Sequence, residues 1–354
     1  MQSIINLYPT GTTFCLKSGT YLLTTGVLVK SYDTLSGVPG TVLDGQGVAA
    51  RGLYGYGGST GQHDVVVKGI KFQNFTDEAV HAGWSWLIAD NEIRTSRIGV
   101  GVNDGTVLRN NYIHHNAQYG LSGGPTSNVL IEGNEVAYNN TSNSCGGSCS
   151  GNAGASKIVG SSAGSWSITW RGNWVHDNTG PGIWADGNVH TSLYENNVAE
   201  NNSGPGILVE ISWDAIIRTN TVRNNSSDMA GKSCWWGGQI LVNTSQNYDI
   251  YGNTISSAAG SNGICLVDAT RPDTAPFPTY LANISVHHNT VHLSGAAATG
   301  LVGNSARSIK FDNNTYRVAI ASSASWAWFD RYPLAWSDFR SRGQEPNGTV
   351  IVGT

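Results

Sequence analysis

The chain has 354 residues, with 45 Gly, 33 Asn, 20 Lys plus Arg and 24 Asp plus Glu, for a formal net charge of −4. Charged residues make up only 12%, too few for a helical bundle or coiled coil built on Ala, Glu, Lys, Leu and Arg, and 39% hydrophobic residues with 12 Trp and 14 Tyr exclude disorder. No apolar run approaches the roughly 18 residues that span a membrane as a helix, and the scattered basic residues argue against a nucleic-acid partner.

At the N-terminus, residues 1–8 carry Ile4, Ile5 and Leu7 and read as a short apolar cap. The start MQSIINLYP has neither a basic stretch nor a long apolar one, so no signal peptide is read in it. The composition nevertheless suggests a secreted protein. Triplets of the form Asn-x-Ser/Thr, as at Asn74, Asn201 and Asn283, are expected by chance in so Asn-rich a chain.

From residue 91 onward Asn-x-Val/Ile recurs, at Asn91, Asn111, Asn134, Asn173, Asn196, Asn220, Asn253 and Asn289, with a weaker copy at Asn313. Successive spacings are 20, 23, 39, 23, 24, 33, 36 and 24. The long ones contain insertions at 140–156, 226–237 and 269–280. A second Asn follows in several copies, at Asn116, Asn139, Asn178, Asn201 and Asn225. A fixed period of 20–30 residues marks a solenoid. Each repeat holds three short runs with alternating apolar positions, broken by Gly, Asn, Asp and Ser, which tolerate left-handed backbone at sharp corners. Three short strands and three corners per repeat predict an all-β, right-handed parallel β-helix of about ten coils. Asn stacked at one corner is expected to bond the coils above and below. His114, His115 and His176 fall in the corner turns and read as structural hydrogen-bonders.

The opening Pro9-Thr-Gly11-Thr-Thr-Phe14-Cys-Leu16-Lys-Ser-Gly19-Thr-Tyr21 resembles the first coil of pectin-lyase-like β-helix proteins, and the Asn-x-Val-x-x-Asn and Gly-Ile-x-x coils resemble their generic repeat. The resemblance covers most of residues 8–320. It implies the fold but not one activity, because lyases, hydrolases, epimerases and phage tailspikes share it. One domain is expected: residues 1–20 as cap and first coil, 21–320 as coils, and 321–354 as a C-terminal cap. Trp326, Trp328, Phe329, Trp336 and Phe339 crowd into that last segment, which reads as an aromatic cap or else as a sugar platform.

Two consecutive coils stand out. One reads Gly180-Pro181-Gly182-Ile183-Trp184-Ala185-Asp186, the next Gly204-Pro205-Gly206-Ile207-Leu208-Val209-Glu210. With Ile183, Ala185, Ile207 and Val209 inward, period-two alternation turns Trp184, Asp186, Leu208 and Glu210 outward. Coils lie about 4.8 Å apart, so the two carboxyls are expected to stack, which raises at least one pKa. Lys157 is expected on the same face. His190 and Asp214, each four residues after its acid, are expected to form a second rung. Gln239, Leu241 and Asn243 follow on the next coil, then Asp268.

An acid pair suits glycoside hydrolysis, which uses one protonated and one ionised carboxyl. This gives Asp186, Glu210, Lys157, Asp214 and His190 as catalytic candidates, without cofactor or metal. Trp184, Trp213, Trp235, Trp236, Asn243 and Arg218 are the candidates for holding a polysaccharide or oligosaccharide. The alternative is a lyase or C5-epimerase on uronic-acid glycans, with calcium held by Asp186, Glu210 and Asn243 or Asp268 and with Lys157 or an Arg as base. A non-catalytic glycan-binding solenoid is the third reading. Among the cysteines, Cys145 and Cys149 in CGGSC are expected to bridge, and Cys15, Cys234 and Cys265 to stay unpaired.

Overall fold

The computed structural model describes all residues except 58–59, 144–151, 230–233, 258–259, 270, 272–277, 279, 295–296, 320–324 and 354. The expected Cys145–Cys149 bridge lies outside the described residues. No helix among them is long and apolar enough to cross a membrane.

Three parallel sheets of 12, 13 and 13 strands run the length of the molecule, and successive strands of the chain visit them in turn. This is the right-handed parallel β-helix expected from the repeat. There are more coils than the ten predicted, because the first coils, such as the one with Thr41–Asp44, lack the Asn signal. The helix Gln2–Leu7 covers the first coil with Ile5 buried. Beyond the last coils Phe339 packs on Phe311 at 5.6 Å and Tyr316 on Trp326 at 5.6 Å, so several of the C-terminal aromatics face inward.

Inward residues of every coil form one continuous apolar core. The corner between the first and second sheets shows why Asn recurs. One residue per coil there is left-handed, including Asp90, Asn110, Asn196, Thr219, His288 and Asn313, with φ between 53° and 57° among these. The residue after it is the buried Asn of a ladder: 91, 111, 134, 173, 197, 220, 253, 289 and 314. The members are therefore Asn197 and Asn314, not Asn196 and Asn313 as the motif suggested. In each Asn-Asn pair the first takes the left-handed turn, which Asn tolerates well, and the second goes inside. Asn197 is typical. Its Oδ1 accepts from the N–H and the Nδ2 of Asn173 at 3.0 and 2.9 Å, and its Nδ2 donates to Trp170 O and to Asn220 Oδ1, both at 3.0 Å.

A second ladder at the next corner runs through Ser96, Asn116, Asn139, Asn178, Asn202 and Asn225. Here too Asn202 takes the place expected for Asn201, whose φ is 55°. Gln239 continues this ladder by accepting from the N–H and Nδ2 of Asn225, so it is buried rather than placed beside the acids. The first ladder ends on Glu345, whose carboxylate accepts from Asn314 Nδ2 at 2.6 Å and Tyr316 Oη at 2.7 Å. Burial pushes the Glu345 carboxyl above the usual range.

Cys234 and Cys265 form a disulfide, contrary to the expectation of free thiols. Local sequence offers no cue, since the partners are 31 residues apart. The bridge ties the 226–237 insertion to the outer face of the third sheet. Cys15 is unpaired and exposed.

Candidate functional site

The third sheet aligns the two outstanding coils as the spacing implied. Asp186 pairs in register with Glu210, and Glu210 with Asn243 on the following coil. Val159 precedes Asp186 in that column. Lys157, two residues earlier, reaches across so that its Nζ lies 2.9 Å from Asp186 Oδ2. The same ammonium donates to Asn152 Oδ1 at 2.9 Å and sits 3.7 Å from the centroid of the Trp184 ring, a cation–π contact that helps desolvate it. The structure thus brings Lys157, Asp186 and Glu210 together.

Glu210 is the more enclosed acid. Its side chain is 10% exposed, against 22% for Asp186. Trp184 Nε1 donates to Oε2 at 3.2 Å, Asn243 Nδ2 to Oε1 at 2.9 Å, and Arg271 Nη2 to Oε1 at 3.3 Å. Burial, and next the Asp186 charge, raise the Glu210 pKa above the ordinary carboxyl range. The Asn243 hydrogen bond and the Arg271 and Lys157 charges pull the other way without reversing it.

Several expected placements differ. Trp184 is not an exposed platform; it is 2% exposed. The outer face of the third sheet carries a second apolar cluster, with Trp184, Leu208 and Leu241 under Cys234 and Trp236. Cys234 and Trp236 of the disulfide-pinned insertion pack on this face. Asn243 is fully buried and holds Glu210 instead of meeting solvent. Asp268 is also buried, accepting from the backbone N–H of Leu281 and Ser305; it pairs with Gly303 while Asn243 pairs with Val267, one step out of the column.

His190 and Asp214 do not share a rung. His190 aligns with Trp213, because the corner after Glu210 is one residue shorter than that after Asp186. Asp214 then falls into a left-handed position, φ 56°, exposed and accepting from Asn247 Nδ2 at 2.8 Å. The His190 ring is sandwiched between Trp166 at 3.9 Å and Trp213 at 4.6 Å. Its Nε2 meets Asn188 Oδ1 at 2.6 Å and its Nδ1 lies 3.9 Å from Asp214 Oδ2; burial lowers its pKa, with Asp214 pulling the other way. Arg218 lies at the far end of its strand, bonded to Glu195 and Tyr251. Trp235 is exposed and Trp236 half-buried. His176 bonds Asp177 at 2.7 Å and His114 bonds His115 at 2.7 Å, the structural roles expected of them.

Sequence reading missed Asn152 and Arg271. Both sit in insertions, outside the repeat that indexes every other position. Arg271 follows the strand Asn262–Asp268 by three residues, and that closeness was its only signal. Trp166 was missed as well, although it lies 24 residues before His190, the period of the repeat.

The model of a right handed beta helix region matches residues 51–255 and 156–325. No curated protein matches the sequence. Solved structures that resemble the chain differ in activity. The A-module of a mannuronan C-5 epimerase from Azotobacter vinelandii has 14% identity and a TM-score of 0.60, over 99% of this chain and 94% of that one. A surface adhesin of Streptococcus pneumoniae has 9% identity and a TM-score of 0.56, over 91% and 89%. A lacto-N-biosidase from Eubacterium ramulus has 11% identity and a TM-score of 0.51, over 92% and 62%. At such identities the likeness concerns the fold, and with the family model matching well over half its length, the chain belongs to the right handed beta helix family.

Proposed function

We propose that this chain is a secreted glycoside hydrolase acting on a polysaccharide, with Glu210 as the general acid and Asp186 as the nucleophile or base. One observation carries the reading: two carboxyls on adjacent rungs differ in enclosure. Both have a cationic partner, Lys157 for Asp186 and Arg271 for Glu210, but Glu210 is the more enclosed, and its pKa is raised above the usual carboxyl range by burial and by the Asp186 charge. A carboxyl kept protonated beside a second acid is how one site supplies both roles. Glu210 donates its proton to the leaving glycosidic oxygen as the bond to the anomeric carbon breaks. Asp186, or a water it deprotonates, forms the new bond to that carbon. Oε2 of Glu210 accepts only from Trp184 among the described residues, which leaves it the oxygen with room for the proton. A buried disulfide is in keeping with an oxidising, extracellular setting.

A lyase or epimerase on uronic-acid glycans is the second reading. It is favoured by Lys157 and Arg271, which place two cations beside the acids. Calcium held by Asp186, Glu210 and Asn243 would have to displace Lys157 and Arg271, which already pair with the two carboxyls. Incubation with neutral and uronic-acid polysaccharides, with and without chelator, separates the readings. The hydrolase releases reducing ends without the ultraviolet absorbance of an unsaturated sugar, and Glu210→Gln and Asp186→Asn each lower turnover at least about a hundredfold. Unsaturated products would overturn it. Full turnover in both variants would remove the acid pair from any mechanism.

A further inference from the structure

We propose a glycan-binding slot on the corner between the third and first sheets, walled by Trp84 and Trp166 and floored by Asp104 and Ser127. It rests on the reading of this chain as acting on glycans and adds a binding site on coils N-terminal to the acid pair.

The slot emerges from one column of outward residues. At this corner each coil has one left-handed residue: Asp64, Ser85, Gly105, Asn128, Ser167, Thr191, Asp214 and Asn247 in successive coils. The residues just before it line up in one column along the axis, with ring contacts between His63 and Trp84 and through Trp166, His190 and Trp213. These residues are His63, Trp84, Asp104, Ser127, Trp166, His190, Trp213 and Gln246. Register is direct for His63 with Trp84 and for Ser127 through Gln246. The hydrogen bonds Ser85 N to Asp104 O and Gly105 N to Ser127 O fix the two coils between.

The column therefore contains two aromatic blocks, with two small polar residues between them. In the second block Trp166 lies nearly parallel to His190, at an interplanar angle of 11°. One face of its indole is covered by His190, so the other looks along the axis toward Ser127, whose side chain is too short to cover it. Trp166 is 45% exposed and Trp84 is 41% exposed. A Cβ placed on Gly124, beside this corner, would meet nothing within 4 Å. Three coil steps separate Trp84 from Trp166, or about 14 Å along the axis.

The chemistry of the walls and floor suits a sugar. The apolar C–H face of a pyranose stacks on an indole, and its hydroxyls need donors and acceptors at the edges. Neither indole N–H, nor Ser127 Oγ, nor Asp104 Oδ2 has a hydrogen-bond partner among the described residues, while Asp104 Oδ1 accepts from Ser127 N at 2.6 Å. The slot also continues into the acid pair: Trp166 shares its coil with Lys157, and His190 shares its coil with Asp186. At most about 14 Å of extended chain separates Asp186 from His190, so the slot and the acid pair lie within reach of one polysaccharide chain.

The test is retardation of the full chain in native gels cast with sodium alginate or with a soluble neutral glucan. At least one gel is expected to retard it. In that gel Ser127→Trp, which extends the stack into the slot, and Trp166→Ala, which removes the wall, should each raise the apparent Kd at least tenfold. Trp174→Ala, an exposed indole on the second sheet, should leave it unchanged. No retardation in either gel, wild-type retardation of Ser127→Trp, or equal loss in Trp174→Ala would each overturn the slot. Should Trp166→Ala fail to fold, Ser127→Trp decides, since it deletes nothing. Turnover of Glu210→Gln judges the acid pair separately: its persistence sinks the hydrolase reading and leaves the retardation result standing.

Discussion

Replacing Asn197 by Ala removes a buried side chain that four hydrogen bonds engage. Its Oδ1 is the acceptor for both the N–H and the Nδ2 of Asn173, and Asn173 and Asn197 are each 1% exposed. Water cannot reach the two orphaned donors. Each unsatisfied buried donor costs about 1–3 kcal/mol; the two together, with the lost bonds to Trp170 and Asn220, give a destabilisation of about 4 kcal/mol. Asn196, its chain neighbour, makes the control. It is exposed, its φ of 56° is one that Gly adopts freely, and among the described residues its side chain accepts only from Thr219 Oγ1 at 2.8 Å. Asn196→Gly should therefore change stability by no more than about 0.5 kcal/mol. Urea unfolding followed by tryptophan fluorescence and far-ultraviolet circular dichroism measures both, provided the two probes coincide and the slope is unchanged. A loss below about 1 kcal/mol for Asn197→Ala, or an equal loss for Asn196→Gly, would refute the assignment of the inner column.

Glu210 links the site to pH. Its folded pKa is raised, so between the ordinary glutamate value and that raised value the folded state binds more protons than the unfolded one. Stability then falls as pH rises through this window, and Glu210→Gln should flatten that part of the pH–stability curve; an unchanged curve counts against the raised pKa. A general acid must be protonated, so activity should decline on the alkaline side as pH passes the Glu210 pKa. Arg271→Ala, by removing a charge that lowers it, should move that limb to higher pH, and Asp186→Asn should move the Glu210 titration seen by infrared spectroscopy to lower pH; shifts of opposite sign refute the electrostatic account. Peptide mapping without reductant should recover Cys234 linked to Cys265, and replacing both by Ala should cost about 2–4 kcal/mol in the same urea assay; recovery of the two peptides unlinked would refute the bridge.

Much of this was legible because a solenoid repeats its grammar. Asn spacing indexed the corners, and alternation around Ile183 and Ile207 placed Asp186 beside Glu210. The errors have local causes. Asn196 matched the motif in place of Asn197 because Val198 follows it by two residues, whereas the inward residue of that coil is Ala199, which the motif does not admit. Asp214 was misplaced because a corner one residue shorter shifts everything after it. Trp184 and Asn243 were read as exposed because alternation says which face a residue points to, not whether something covers that face. The cover comes from an insertion held by Cys234–Cys265, and Arg271 arrives from another. Periodicity carries no information about either.

The two asparagine ladders run unbroken through coils whose length varies from 20 to 39 residues. They act as rails: loop length is absorbed at the corners while the axial rise stays fixed. A whole coil, such as residues 173–196, is then a removable cassette. Its excision would let Asn134 and Asn139 meet Asn197 and Asn202 directly, closing both rails. The same cut would take out Asp186 and bring Lys157 up to Glu210. Chains of this kind can thus lengthen, shorten or exchange their chemistry one rung at a time without renegotiating the core.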